Sequence, residues 1–186
     1  MMGKIIFVMI VVGLVMSGLF YAFRAKWYLK NKKWQPDNNL VSTLTKCGDS
    51  ALQSGDVPVA ALLLYDDQVI GQGYNTVLRN NDAGGHAELN ALTDAMRRVG
   101  YDSFMRLPRT RLRLVATWEP CAMCKGGIAT YGISRVVVMH PKPMSGQLTE
   151  WKKEMSYEWN KRQAAVDTLQ EYLFRKHPLY RSQIRQ

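Results

Sequence analysis

The sequence predicts an α/β fold, a mixed β-sheet covered by helices and preceded by one N-terminal transmembrane helix. Three observations carry this. Residues 57–64 form a short, continuously apolar run, as a central strand buried on both faces requires. Twice a strand-like run leads into a helical one, from 69–74 to 85–98 and from 112–117 to about Tyr131. Residues 5–23 hold 19 positions without a charge, close to the ~20 that cross a hydrocarbon core of ~30 Å.

Three fates compete for residues 5–23. A buried helix would show a polar face, and this run has none. A cleaved signal peptide carries an apolar region of ~7–15 residues and a small-x-small cleavage site. This run is longer and ends in Tyr21-Ala22-Phe23-Arg24-Ala25. A retained anchor is therefore expected. Five basic residues follow it between Arg24 and Lys33, against Lys4 before it. The positive-inside rule then puts the remainder of a single-pass protein on the cytoplasmic side of the membrane. Trp27, Tyr28 and Trp34 suit either the headgroups or packing on the domain. Gly13-x-x-x-Ser17 is a single small-residue pair and carries no weight.

The expected division is thus 1–34, an anchor with its basic flank, and 35–186, a globular domain. The formal charge is +10, but six of the positive charges lie before Asp37, the first acid. The rest holds 19 Lys and Arg against 15 Asp and Glu, a net charge of about +4. That is too little to argue for nucleic acid on charge alone. Three cysteines argue against a disulfide framework, and free thiols suit a reducing compartment.

Gln35-Pro36-Asp37-Asn38-Asn39 is a polar joint, and Asp37 or Asn38 caps a helix running to about Gln53. Leu40, Val41, Leu44, Cys47, Ala51 and Leu52 recur on it at three and four. Cys47 is accordingly a small core residue. Asp66-Asp67 turns the first strand into the second, making a hairpin. A loop over 79–85 delivers the chain to the helix over 85–98, whose inner face is marked by Ala87, Leu89, Leu92 and Met96.

Residues 99–111 read as a basic loop. Arg97, Arg98, Arg106, Arg109, Arg111 and Arg113 face only Asp94 and Asp102 in this region. Without interleaved aromatics, a solvated surface is preferred to an anion-binding loop. The strand over 112–117 runs straight into a helix that stops near Gly132, and 135–139 is a fourth strand. Two such units imply parallel strands with right-handed crossovers. Both helix starts then lie at carboxyl ends of strands, where open α/β sheets bind ligands. Residues 149–176 read as helical, with no clear fifth strand. His140, in a loop over 140–146, fits a surface position better than a pocket mouth.

The chemistry sits at those helix starts. His86-Ala87-Glu88 and Pro120-Cys121-Ala122-Met123-Cys124 are separated by 32 residues between Glu88 and Cys121. Zinc takes thiolate and imidazole ligands tetrahedrally, and a catalytic zinc keeps one position for water. His86, Cys121 and Cys124 are the expected ligands of one Zn2+. Pro120 suits the first helical position, and the helix amides favour the cysteines as thiolates. Glu88 is the expected catalytic residue, a proton carrier. A structural site would need Cys47 as a fourth ligand, from a helix that runs elsewhere.

This pattern resembles the cytidine/deoxycytidylate deaminase superfamily. The resemblance covers a motif core over 56–139. It includes Asp56-Val57-Pro58-Val59-Ala60-Ala61-Leu62-Leu63-Leu64 as a first strand and Gly71-Gln72-Gly73-Tyr74-Asn75 as a second. Asn75 falls where relatives carry a base-contacting, substrate-binding Asn. The resemblance implies a three-layer α/β/α fold and hydrolytic release of ammonia from an amine-bearing ring. Asn75-Thr76-Val77 and Asn80-Asn81-Asp82 look nearest to guanine deaminases. His86 to Ala91 is similar to deoxycytidylate deaminases, and Glu119-Pro120-Cys121 to the adenosine and guanine groups. The leading expectation is a membrane-anchored deaminase of a free nucleobase, nucleoside or nucleotide, with room for a homodimer. A nucleic-acid deaminase of the tRNA adenosine type is the alternative. A zinc-containing binding or toxin-like module without turnover ranks last.

Overall fold

Strand β1 (Ala60–Tyr65) organises the fold, because its alternate side chains face opposite layers. Leu62 and Leu64 pack with Leu40, Leu44 and Cys47 of helix α2 (Asn38–Gln53). Ala61 and Leu63 point the other way, toward Ala87, Ala91 and Leu92 of α4 (Ala87–Val99). The sheet therefore lies between helices on both faces, as the three-layer expectation requires. The computed structural model describes residues 11–24 and 34–160.

Asp37 Oδ1 accepts the Leu40 amide at 2.8 Å and caps α2 as expected. Asp66 and Asp67 both have positive φ, 48° and 64°, as the turn of a two-residue hairpin demands. They join β1 to β2 (Gln68–Tyr74), which pairs with it antiparallel. On its other side β1 pairs antiparallel with β3 (Leu112–Trp118), and β3 pairs parallel with β4 (Arg135–His140). The sheet order is β2-β1-β3-β4. Strands β2 and β3 are thus parallel to one another with β1 between them. Among the described residues there is no fifth strand.

Helix α4 lies directly on β2. A Cβ on Gly71 or Gly73 would overlap the backbone of Ala91, Ala95 or Ala87. The two glycines and the Ala87, Ala91, Ala95 stripe let helix and strand approach closely, and this fixes where the helix begins. Helix α6 (Ala122–Thr130) covers the same face, where Ile128 joins Leu92 in the core.

Three local expectations are corrected. The first strand starts at Ala60, not at 57, since Pro58 has no N–H to pair. Pro120 is not the first helical residue, because Cys121 is the N-cap of α6. Residues 99–111 are not an open loop. They form α5 (Tyr101–Arg106) and a 3-10 turn (Arg109–Arg111), and Phe104 is fully buried. Of the two settings that suit Trp34, packing on the domain is the one found, with its Nε1 donating to Asp67 at 3.1 Å and its ring under the Arg113 guanidinium.

The membrane placement is corrected as well. Among the described residues no helix is long and apolar enough to cross a membrane. The described part of the uncharged run is a helix, α1, over residues 11–24, with exposed side chains. Residues 5–10, Trp27, Tyr28 and most of the basic flank lie outside the described residues. The chain falls into two units, 1–142 and 143–186. The second contains α7 (Met144–Asn160), in line with the expected helical C-terminal part, and 161–176 lie outside the described residues.

Candidate active site

The carboxyl ends of β2 and β3 share one edge of the sheet, and each is followed by a segment that starts a helix. His86 is the extended N-cap of α4, and Cys121 is the extended N-cap of α6. Cys124 lies in the first turn of α6 and is fully buried. The expected ligands meet there. Cys121 Sγ is 3.5 Å from Cys124 Sγ and 3.6 Å from His86 Nδ1, and Cys124 Sγ is 3.5 Å from His86 Nδ1.

That triangle fits zinc. Tetrahedral bonds of ~2.3 Å to sulfur and ~2.0 Å to nitrogen place two sulfurs about 3.8 Å apart and a sulfur and a nitrogen about 3.5 Å apart. Burial, and then the Glu88 and Cys121 charges, push the Cys124 thiol far above its ordinary range. The helix amides alone do not make Cys124 a thiolate. A cation held among these donors would. Cys47 is remote from the group, packed against Leu44 and Leu62 on the α2 face of the sheet. Three protein donors therefore converge, and among the described residues the structural four-ligand alternative lacks its fourth.

Glu88 is in the first turn of α4 and 4% exposed. Its Oε2 lies 3.5 Å from Cys124 Sγ. No Lys or Arg among the described residues pairs with this buried carboxyl group. Asn75 is also buried. Its Oδ1 accepts the Val77 amide at 3.1 Å, which leaves the Nδ2 donors without a partner among the described residues.

The approach to His86 is held by residues that sequence reasoning passed over. Asn90 Nδ2 donates to the Tyr74 carbonyl at 2.8 Å, to Thr76 Oγ1 at 3.0 Å and to the Gly85 carbonyl at 3.3 Å. It ties the end of β2 to the turn before His86. The signal was present: Asn90 is a polar side chain four residues after His86, on the face that packs inward. Asp56 holds the other end of the loop by accepting from Ser54 Oγ, Leu78 N and Arg79 N.

The β3–α6 turn is held as well. Glu119 N donates to the His140 carbonyl at 3.0 Å, and Glu119 Oε2 accepts the Lys142 amide at 2.9 Å. Glu119 Oε1 lies 3.3 Å from Lys125 Nζ. The arginine stretch is elsewhere. Arg109 donates to the Phe104 and Met105 carbonyls, Arg111 pairs with Asp66, and Arg113 faces Asp67. These residues precede or begin β3, whose seven residues separate them from the site by about 20 Å.

With the geometry in place, the comparison that decides the family is direct. The family model of the cytidine and deoxycytidylate deaminase zinc-binding region matches residues 35–140, more than half of the chain. The chain belongs to this deaminase family. Over 87 residues it is 39% identical to the tRNA-specific adenosine deaminase of Buchnera aphidicola subsp. Schizaphis graminum (strain Sg), covering 47% of this chain and 54% of that one. Over 88 residues it is 38% identical to tRNA-specific adenosine deaminase 2 of Xenopus tropicalis, covering 47% and 52%. The chain thus spans about half the length of these curated relatives. Among solved structures, guanine deaminase from Bacillus subtilis superposes with a TM-score of 0.57 at 19% identity, over 75% of this chain and 92% of that one. That likeness shows a shared deaminase fold. The cofactor of this family region is zinc, and His86, Cys121 and Cys124 are the three described residues grouped to hold it.

Proposed function

We propose that this chain is a zinc-dependent hydrolytic deaminase that removes an exocyclic amine from a nucleobase. The observation that carries the reading is the buried Glu88 carboxylate set against the Cys124 sulfur of a three-donor group. His86, Cys121 and Cys124 would hold the zinc, which would supply hydroxide at neutral pH. Glu88 accepts one proton of the attacking water and passes it to the ring nitrogen, then takes the second from the added hydroxyl as the carbonyl forms and gives it to the leaving amine. A C–O bond forms, the C–N bond breaks and ammonia leaves. The free Nδ2 donors of Asn75 hold an acceptor atom of the ring.

For the substrate, the similarity to tRNA-specific adenosine deaminases favours adenosine in tRNA over the free base, nucleoside or nucleotide that ranks first on sequence alone. One of these relatives is 39% identical over 87 residues. A base in RNA is accordingly the reading adopted. The competing reading, a small unphosphorylated substrate, draws on one observation. Arg109, Arg111 and Arg113 are engaged within the fold and do not form a free phosphate-binding surface. Ammonia release by the zinc-loaded full chain, assayed on single-stranded RNA and on adenosine, guanine and deoxycytidylate, tests both. Release from none of them would remove the proposal.

A further inference from the structure

Trp118 is the last residue of β3 and stands three positions before Cys121. Its side chain takes the site's face of the sheet. Leu112 and Leu114 pack in the core under α4, and Ala116 packs with Ala87 and Ala91. Val115 points to α2 instead. Alternation puts Trp118 with Ala116, on the α4 side, beyond the last covered position of the strand. His140 is its register partner at the end of β4 and lies on the same side as Val136.

The two rings are stacked, with centroids 4.6 Å apart and planes at 26°. Trp118 is nevertheless 40% exposed. One face of the indole is covered by the imidazole while much of the remainder meets solvent. The pair is also fixed from behind, by the Glu119 amide on the His140 carbonyl and the Glu119 carboxylate on the Lys142 amide. A large apolar ring at the edge of a catalytic site, held rigid and left uncovered, is neither core nor ordinary surface. Aromatic faces of this kind take nucleobases by stacking, without preference for sequence. Because the indole is held in advance, little side-chain freedom is lost on binding.

We infer that Trp118, backed by His140, is a stacking platform for a nucleobase adjoining the one that reacts. This rests on the reading of the site as a deaminase of a base in RNA. The reacting base belongs at the donor triangle, on Asn75 and Glu88. The platform belongs to its neighbour in the strand. It prefers single-stranded substrates, because a neighbouring base that is already stacked in a duplex cannot lie on the indole.

The test separates stacking from structural support. The zinc-loaded full chain carrying Glu88→Gln is titrated with two probes. One is a single-stranded RNA pentamer with a central adenosine. The other is the same pentamer with the two bases flanking the adenosine removed. Without Trp118 changes, the intact pentamer should bind about 5- to 150-fold more tightly, the range that base–aromatic stacking gives. Trp118→Ala should shrink that ratio to within about twofold, Trp118→Phe should keep most of it, and His140→Ala should reduce it in part. A purely structural role for Trp118 would weaken both probes together and leave the ratio unchanged, and that result overturns the inference. So does a ratio near one in the parent. Ammonia release is read separately in the chain with Glu88 intact. Turnover with no ratio sinks the platform alone, and a ratio with no turnover sinks the deaminase reading alone.

Discussion

Asp56 Oδ1 accepts the Leu78 amide at 2.6 Å, which joins the end of α2 to the short helix Val77–Asn80 just after Asn75. Burial alone would raise this carboxyl. The Ser54 hydroxyl, the Leu78 and Arg79 amides and the Arg79 charge outweigh it and hold the group below its ordinary value. A carboxyl lowered in the folded state adds stability above its unfolded pKa of about 3.9. That contribution is lost as pH falls through the folded value. Thermal unfolding between pH 3 and pH 7 should therefore fall toward the acid end, and Asp56→Asn should flatten part of that fall. Identical pH profiles in parent and variant would rule out this role for Asp56.

Gly73→Ala should lower stability by about 1–3 kcal/mol, the usual cost of overpacking. Its Cβ would meet the Ala87 carbonyl and Ala91 amide, backbone atoms at the start of the helix that carries His86 and Glu88. Gly48→Ala is the matched control. It lies within α2 with only the Pro58 carbonyl near its Cβ, at 4.0 Å. It should gain up to about 1 kcal/mol from helix propensity. Denaturant melts of the two variants check this, and equal effects would contradict the packing account.

Arg109 donates to two carbonyls of α5 and lies 5.0 Å above the Phe104 ring, and Arg111 lies over Tyr65. The double variant Arg109→Ala with Arg111→Ala should lose stability by about 1–3 kcal/mol, mostly at Arg109. The KM for an unphosphorylated substrate should change by less than tenfold, because both residues lie at the far end of β3. A large rise in KM with unchanged stability would return the stretch to the substrate.

The donor triangle was legible because its signal is local. Cys121 and Cys124 need only one turn to meet, and His86 needs only to end a loop beside them. The Asp37 cap and the Asp66-Asp67 hairpin were legible for the same reason. The start of β1 was misplaced because hydrophobicity over 57–59 masks what Pro58 does to pairing. Helix α5 was missed because its six residues show no period of their own and are held by Phe104 in a distant core. The stacking of Trp118 on His140 depends on the parallel register of β3 and β4, which no local pattern encodes. The apolar run over 5–23 carried a membrane expectation from composition, and among the described residues no helix is long and apolar enough to meet it.

The measurement that bears on the whole site is zinc content paired with ammonia release in three variants of the full chain. Glu88→Gln should keep about one zinc per chain and lose at least ~100-fold in rate, as expected for a proton carrier that is not a ligand. Cys124→Ala should lose the metal, since it removes one of three donors that lie 3.5–3.6 Å apart. Cys47→Ala should keep both metal and activity, because Cys47 lies on the opposite face of the sheet. Zinc retained in Cys124→Ala, or a near-normal rate in Glu88→Gln, would contradict the site described here.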